Sequence, residues 1–154
     1  MREILFRGKR DDNGEWVYGY YACIGKHHYI LTGKLNLIGA VNFEHYLVIP
    51  ETVGQYTGLT DKNGKKIFEG DIVMFSRNRN LPNFTPVPEV IRYHYGDCAF
   101  QRFPYNKSLT KGKSGRLLQP DMMCECEVIG NIHDNPELLE GGEKNGKNHI
   151  CKRP

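Results

Sequence analysis

The sequence predicts a mainly β fold, and three observations carry that prediction. Two of the three Asn-Gly pairs, at 13–14 and 63–64, sit between apolar runs, which is the strongest short-range signal for a β-hairpin. Seventeen Gly and eight Pro punctuate the chain far more often than a helical protein tolerates. Nine Tyr and seven Phe fall largely in short alternating runs, the pattern of strands packed on at least one face.

Taken in order, residues 3–9 and 15–24 read as two strands joined by Asp11-Asp12-Asn13-Gly14. In the second, alternation puts Trp16, Tyr18, Tyr20 and Ala22 opposite Val17, Gly19, Tyr21 and Cys23. Both sides carry apolar groups, so the strand is expected to be covered on both faces. Shorter strands follow at 27–31 and 45–49. Asp61-Lys62-Asn63-Gly64 repeats the turn chemistry and leads into Lys66–Phe75, without establishing an internal repeat. Residues 76–88, with Pro82, Pro86 and Pro88, read as a loop. Val87–Tyr95 and Ala99–Phe103 form the next strand pair, 104–116 a second polar loop, and Cys124–Ile132 the last strand. At Asp134-Asn135-Pro136-Glu137 a capping residue, a proline at the first helical position and an acid in the first turn predict one short helix, stopped by Gly141-Gly142. Residues 141–154 are polar and read as a flexible tail.

The 154 residues suit one ordinary domain, with or without a small appendage, and 39% apolar content is globular. Met1-Arg2-Glu3-Ile4 opens no apolar export segment, no run approaches a membrane span, and five scattered Cys suit free thiols. A cytoplasmic location is the expectation. A net charge of +3 permits an anionic partner without requiring one.

Catalytic and metal signatures are weak. There is no Gly-x-Ser-x-Gly, His-Glu-x-x-His or phosphate-binding glycine loop, and Asp61–Gly64 lacks the downstream Glu of a calcium loop. Cys124 and Cys126, with Cys98, Cys151, His133 or His149, depart from the paired spacing of zinc sites, so neither a metal nor another cofactor is predicted. An enzyme would need His94, Asp97 or His133 brought together in a cleft. The basic loops are more informative: Arg77 and Arg79 in one, Lys107, Lys111, Lys113 and Arg116 in the other, with Tyr93, Tyr95, Phe100, Phe103 and Tyr105 between. Lysine and arginine on phosphates with aromatic rings on bases is one way to hold a nucleic-acid strand. The mild charge and the nearby Glu125, Glu127, Glu137 and Glu140 favour plain solubility for those loops and core roles for the rings.

Three segments carry a resemblance. Val53–Val73, containing Asp61-Lys62-Asn63-Gly64 and Phe68-Glu69-Gly70-Asp71-Ile72-Val73, resembles the signature of the YopX family of small bacteriophage and prophage proteins. Glu127–Leu139, with Gly130-Asn131-Ile132-His133-Asp134-Asn135-Pro136, is similar to its closing motif, and Phe6-Arg7-Gly8-Lys9 with Gly14–Gly19 to its opening. The resemblance implies an SH3-like barrel over about 50–140 beside a small β-rich N-terminal subdomain at 1–49, and no catalytic residues. The expected function is that of a non-enzymatic accessory protein binding a protein partner or itself. The alternative is nucleic-acid binding of low sequence specificity through the basic loops.

Overall fold

A computed structural model describes residues 3–35, 41–75, 86–104, 115–123 and 125–139. Eleven strands form two antiparallel sheets among these residues. The first sheet has six: β1 (Phe6–Lys9), β2 (Trp16–Ile24), β3 (His27–Leu35), β4 (Val41–Leu47), β5 (Gly54–Thr60) and β6 (Lys66–Phe68), in the spatial order β4-β3-β2-β1-β5-β6. The second has five: β7 (Asp71–Phe75), β8 (Glu89–His94), β9 (Ala99–Pro104), β10 (Arg116–Leu117) and β11 (Cys126–Asn131), in the order β10-β9-β8-β7-β11.

The mainly β class is therefore observed, but the expected barrel is not. Strand β5 pairs with β1 (Phe6 opposite Gln55, Arg7 opposite Gly54) and β6 with β5, so the first sheet runs across residue 50. The strands from 54 onward are split between two sheets and close no barrel among the described residues. The anticipated C-terminal helix is a 3₁₀ turn at Pro136–Leu139, and the sequence reading missed a four-residue helix, α1, at Pro120–Met123. No helix among the described residues is long and apolar enough to cross a membrane.

Both turns form, with the glycine of each pair at positive φ (Gly14 at +73°, Gly64 at +79°) and neither Asn13 nor Asn63 there. In the second, Asp61 is 4% exposed, and its carboxylate accepts Asn63 N–H at 2.8 Å, Lys65 N–H at 2.9 Å and Val128 N–H at 3.0 Å. Burial pushes this carboxyl up, but the three backbone donors win and hold it below the usual range. The turn is thereby fastened to β11.

The main core lies between the sheets. Ile67 from β6 packs with Val73, Phe75, Ile91, Met123, Cys126 and Val128, with Leu59, Leu118 and Met122 around them. Burying seven such side chains contributes roughly 1.5–3 kcal/mol for each larger one, the chief force joining the layers. A second cluster of Ile72, Val90 and Leu139, flanked by Ile129, Ile132 and Leu138, covers the opposite face of the five-stranded sheet beneath the C-terminal turn.

The six-stranded sheet is not covered on both sides throughout. Gly19 is buried and Tyr21 half-buried on one face of β2, whereas Tyr18 and Tyr20 on the other are 50% and 62% exposed. This corrects the expectation for β2: apolar content on both faces reflects one packed face and one open one.

Candidate functional site

Strand alternation sends Phe6, Tyr21, Gln55 and Thr57 to the inner face of the six-stranded sheet and Arg7, Trp16, Tyr18, Tyr20 and Phe68 to the other. Three regions with distinct chemistry result.

The first gathers residues from all three resembling segments. Arg7, 6% exposed, pairs with the buried Asp71 at 2.6 Å and donates to the Glu69 carbonyl at 3.1 Å. Its guanidinium lies 4.7 Å from the Trp16 ring centre and 5.0 Å from that of Phe68, a cation–π arrangement on two rings. Gly70, at φ +82°, lets the chain turn so that Asp71 can accept Phe68 N–H at 2.8 Å. Burial raises the Asp71 carboxyl above its ordinary value, against the pull of Arg7 and the Phe68 amide. Beside it, Trp16 Nε1–H donates to Asp134 at 2.7 Å, Lys9 pairs with Asp134, and Asn131 donates to it at 2.8 Å. Burial works against ionisation of Asp134, yet these donors bring its pKa down to about 2. His133 meets Trp16 at a tilt of 55° with ring centres 6.0 Å apart, and burial, then the Arg7 charge, lower its pKa. With every charge here matched to a neighbour, the region is built to fasten β1, β2, β7 and β11 together.

The second region is a groove of about 760 Å³ between the sheets. It continues the main core outward, where β8 and β9 extend past Ile91 to Tyr93 and Phe100. Phe6 and Tyr21 line one wall, 5.4 Å apart. Tyr93, Tyr95 and Phe100 line the other, with Tyr93 edge-on to Tyr95 at 5.4 Å and to Phe100 at 5.3 Å. Glu69 is the charged side chain among the described residues of the lining, and its Oε1 accepts Tyr93 N–H at 3.1 Å.

The third region is the open face of β2–β3–β4. The register sets Tyr20 beside Leu31 and His45, Ala22 beside Tyr29 and Leu47, and Phe43 opposite Gly33. Tyr18, Tyr20, Ile24, Phe43 and Leu47 are 50%, 62%, 67%, 70% and 39% exposed on it. β4 is the last strand in the sheet's order, and its end is tied back to the first turn, where Asp11 N–H donates to the Leu47 carbonyl at 3.0 Å and Val48 bridges Arg10.

Of the predicted nucleic-acid contacts, Arg116 is exposed on β10, opposite Arg102 and next to groove-lining Leu117. Arg77, Arg79, Lys107, Lys111 and Lys113 lie outside the described residues, as do Tyr105, Cys124, Glu140, His149 and Cys151. Of the rings set between those loops, Tyr93, Tyr95 and Phe100 do come together, in the groove. His94 and Asp97 meet at 2.9 Å in the β8–β9 turn, while His133 belongs to the Trp16 cluster. Cys126 is buried and its thiol donates to the Met123 carbonyl at 3.0 Å; Cys98 is exposed. No three His, Cys, Asp or Glu among the described residues cluster closely enough to hold a metal ion. Sequence reasoning missed Glu69, Phe6 and Tyr21 as groove residues, because only the packing of one sheet on the other brings them opposite Tyr93.

No curated protein matches the sequence. The crystal structure of protein EF1440 from Enterococcus faecalis is similar over 90% of this chain and 99% of its own, with a TM-score of 0.54 and 22% identity, a likeness of fold alone. The sequence model of the YopX protein family matches residues 5–140. With most of its length matched, and with Phe6–Lys9, Trp16, Glu69–Asp71 and Asn131–Asp134 meeting at one junction, the chain belongs to the YopX family.

Proposed function

We propose that this protein is a non-enzymatic accessory protein of a phage or prophage, acting in the host cytoplasm by holding another macromolecule, and that a second copy of the chain is the occupant of its β2–β3–β4 face. The observation that carries the reading is the exposure of Tyr18, Tyr20, Ile24, Phe43 and Leu47 on one side of one sheet. Aromatic and large aliphatic side chains left open together mark association surfaces, whereas single exposed ones do not. From their fractional exposure they offer on the order of 500 Å² of apolar surface, most of the ~800 Å² per partner that a standard interface buries. Ahead of Leu47, whose carbonyl already accepts Asp11 N–H, the edge of β4 offers backbone groups to a copy of itself across a two-fold axis.

Sedimentation velocity of the full chain between 1 and 200 µM (chosen concentrations) tests this. A concentration-dependent dimer that Tyr20→Ser with Phe43→Ser converts to monomer supports it; both side chains are exposed, so the fold should survive. A wild-type chain monomeric throughout would refute it.

The alternative, nucleic-acid binding, is favoured by the exposure of Arg116 beside the aromatic groove. Anisotropy of labelled single-stranded DNA across a salt series separates the readings. Saturable binding that weakens steeply with salt and is lost when Lys107, Lys111, Lys113 and Arg116 become Ala would favour nucleic acid, and no binding at low salt would eliminate it.

A further inference from the structure

We propose that the groove between the two sheets is a binding site for a basic peptide, with a lysine or arginine side chain of the partner inserted among Phe6, Tyr21, Tyr93, Tyr95 and Phe100 and directed at Glu69. The site lies on the face of the six-stranded sheet opposite the proposed self-association surface, so the two readings stand or fall separately.

Charge and shape together select this occupant. The groove holds about 760 Å³, within the range of pockets that take drug-sized ligands, and so accepts a long side chain with some of its flanking backbone. The rings give a cation their negative faces, and the apolar walls match the methylene stem of lysine or arginine. Tyr95 is 85% exposed, and Tyr93 meets it edge-on, an arrangement that leaves a ring face open at the mouth.

Glu69 supplies the countercharge and is already oriented. Its Oε1 is fixed by Tyr93 N–H at 3.1 Å, and its other oxygen has no partner among the described residues. The nearest competitor is Arg7, but that guanidinium pairs with Asp71 and reaches the Glu69 carbonyl, not its carboxylate. No lysine or arginine occurs among the described lining residues, and the nearby Arg116 is exposed to solvent on β10 beside Leu117, outside that lining. An anionic group inside the groove would face Glu69, so the lining itself selects a cation over an acidic group. The carboxylate is half-buried beside Tyr93, where a hydrogen bond to a cation is charge-assisted.

The test is a titration of ¹⁵N-labelled full-length protein with five blocked pentapeptides, Gly-Gly-X-Gly-Gly, in which X is Lys, Arg, trimethyllysine, norleucine or Glu. The Lys and Arg peptides should shift the amides of Tyr93, Tyr95, Ala99 and Gln55 in a saturable way, at least tenfold more tightly than norleucine or Glu. Trimethyllysine binding more tightly than Lys would place the cation–π contacts above the Glu69 hydrogen bond and still support the site. Glu69→Gln keeps an acceptor for Tyr93 N–H and should weaken the Lys peptide about tenfold. Tyr95→Ala, at an exposed position, should weaken it several-fold and decides the matter if the first variant folds poorly. Norleucine binding as well as Lys, or no groove shifts up to 10 mM Lys peptide, overturns the proposal. Repeating the titration on the Tyr20→Ser/Phe43→Ser variant keeps a failure of self-association from being read as a failure of the groove.

Discussion

Replacing Arg7 with methionine strips Asp71 of its countercharge while keeping a similar side-chain length. Arg7 and Asp71 have side chains only 7% and 2% exposed, so neither can turn to solvent when the other is removed. Breaking a buried pair by deleting one member costs about 3–5 kcal/mol, mostly from the charge left behind. The guanidinium's contacts with Trp16 and Phe68, worth about 1 kcal/mol each, put Arg7→Met at the upper end. Asp71→Asn retains an acceptor for Phe68 N–H but leaves Arg7 uncompensated, and belongs in the same range. The double variant leaves no orphaned charge. It should cost roughly 2–3 kcal/mol less than the two single changes added together, and that difference is the coupling. Urea denaturation measures this, followed by circular dichroism and by the fluorescence of Trp16, the protein's single tryptophan. The pH dependence carries its own sign. Burial already raises the Asp71 carboxyl, and without Arg7 it rises further, so the deficit of Arg7→Met is fully present at high pH and shrinks as pH falls through that raised pKa. A coupling under about 0.5 kcal/mol, or a deficit that grows on acidification, would refute the view that this pair fastens the sheets.

Asp134, with a pKa of about 2 in the folded chain against 3.8 as its reference, contributes stability above pH ~4 that is lost as pH falls towards 2. Because its side chain is 34% exposed, the contribution is discounted to about 1 kcal/mol; Asp134→Asn should flatten that limb of an acid-unfolding curve. Gly19→Ala should cost more than about 3 kcal/mol, since the new Cβ would sit 2.1 Å from the Leu31 carbonyl oxygen, and thermal melts should show it. Gly64→Ala meets nothing within 4 Å and is strained only by its φ of +79°, so about 1–2 kcal/mol is expected.

Local features were legible in the sequence, and long-range pairing was not. Asn13-Gly14 and Asn63-Gly64 announced their hairpins because the positive φ that each glycine takes is set by the turn's own few residues. Pro136 marked the start of the C-terminal turn for the same reason, although packing on Ile72 and Val90 left it a 3₁₀ turn. The family resemblance was legible in segments that proved to be neighbours: Arg7, Trp16, Asp71 and Asp134 join through direct contacts. Partner choice was hidden. Nothing in Gly54–Thr60 tells that its neighbour is Phe6–Lys9, forty-odd positions earlier, and so the sheet crossing residue 50 went unforeseen. Helix α1 had a readable start in Pro120-Asp121, but four residues fall below the length at which a pattern separates from chance. The open face of β2 was misread because alternation shows which residues share a side and not whether that side is covered.

The second sheet is completed by β11 lying against β7, strands that begin at residues 126 and 71, with β8, β9 and β10 all emerging between them. During synthesis β7 must therefore wait on its outer side, with Ile72 and Val73 lacking their final neighbours, until the closing strand leaves the ribosome. Pairings this distant are slow to form, and the waiting edge is open to other chains meanwhile. A release of the nascent chain before residue 126 would leave Val73 and Phe75 without Cys126 and Val128, and the Asp61 turn without the Val128 amide. Fragments shorter than this should collect as aggregates, and the commitment to a native structure comes late, with the arrival of the strand that carries the family's closing motif.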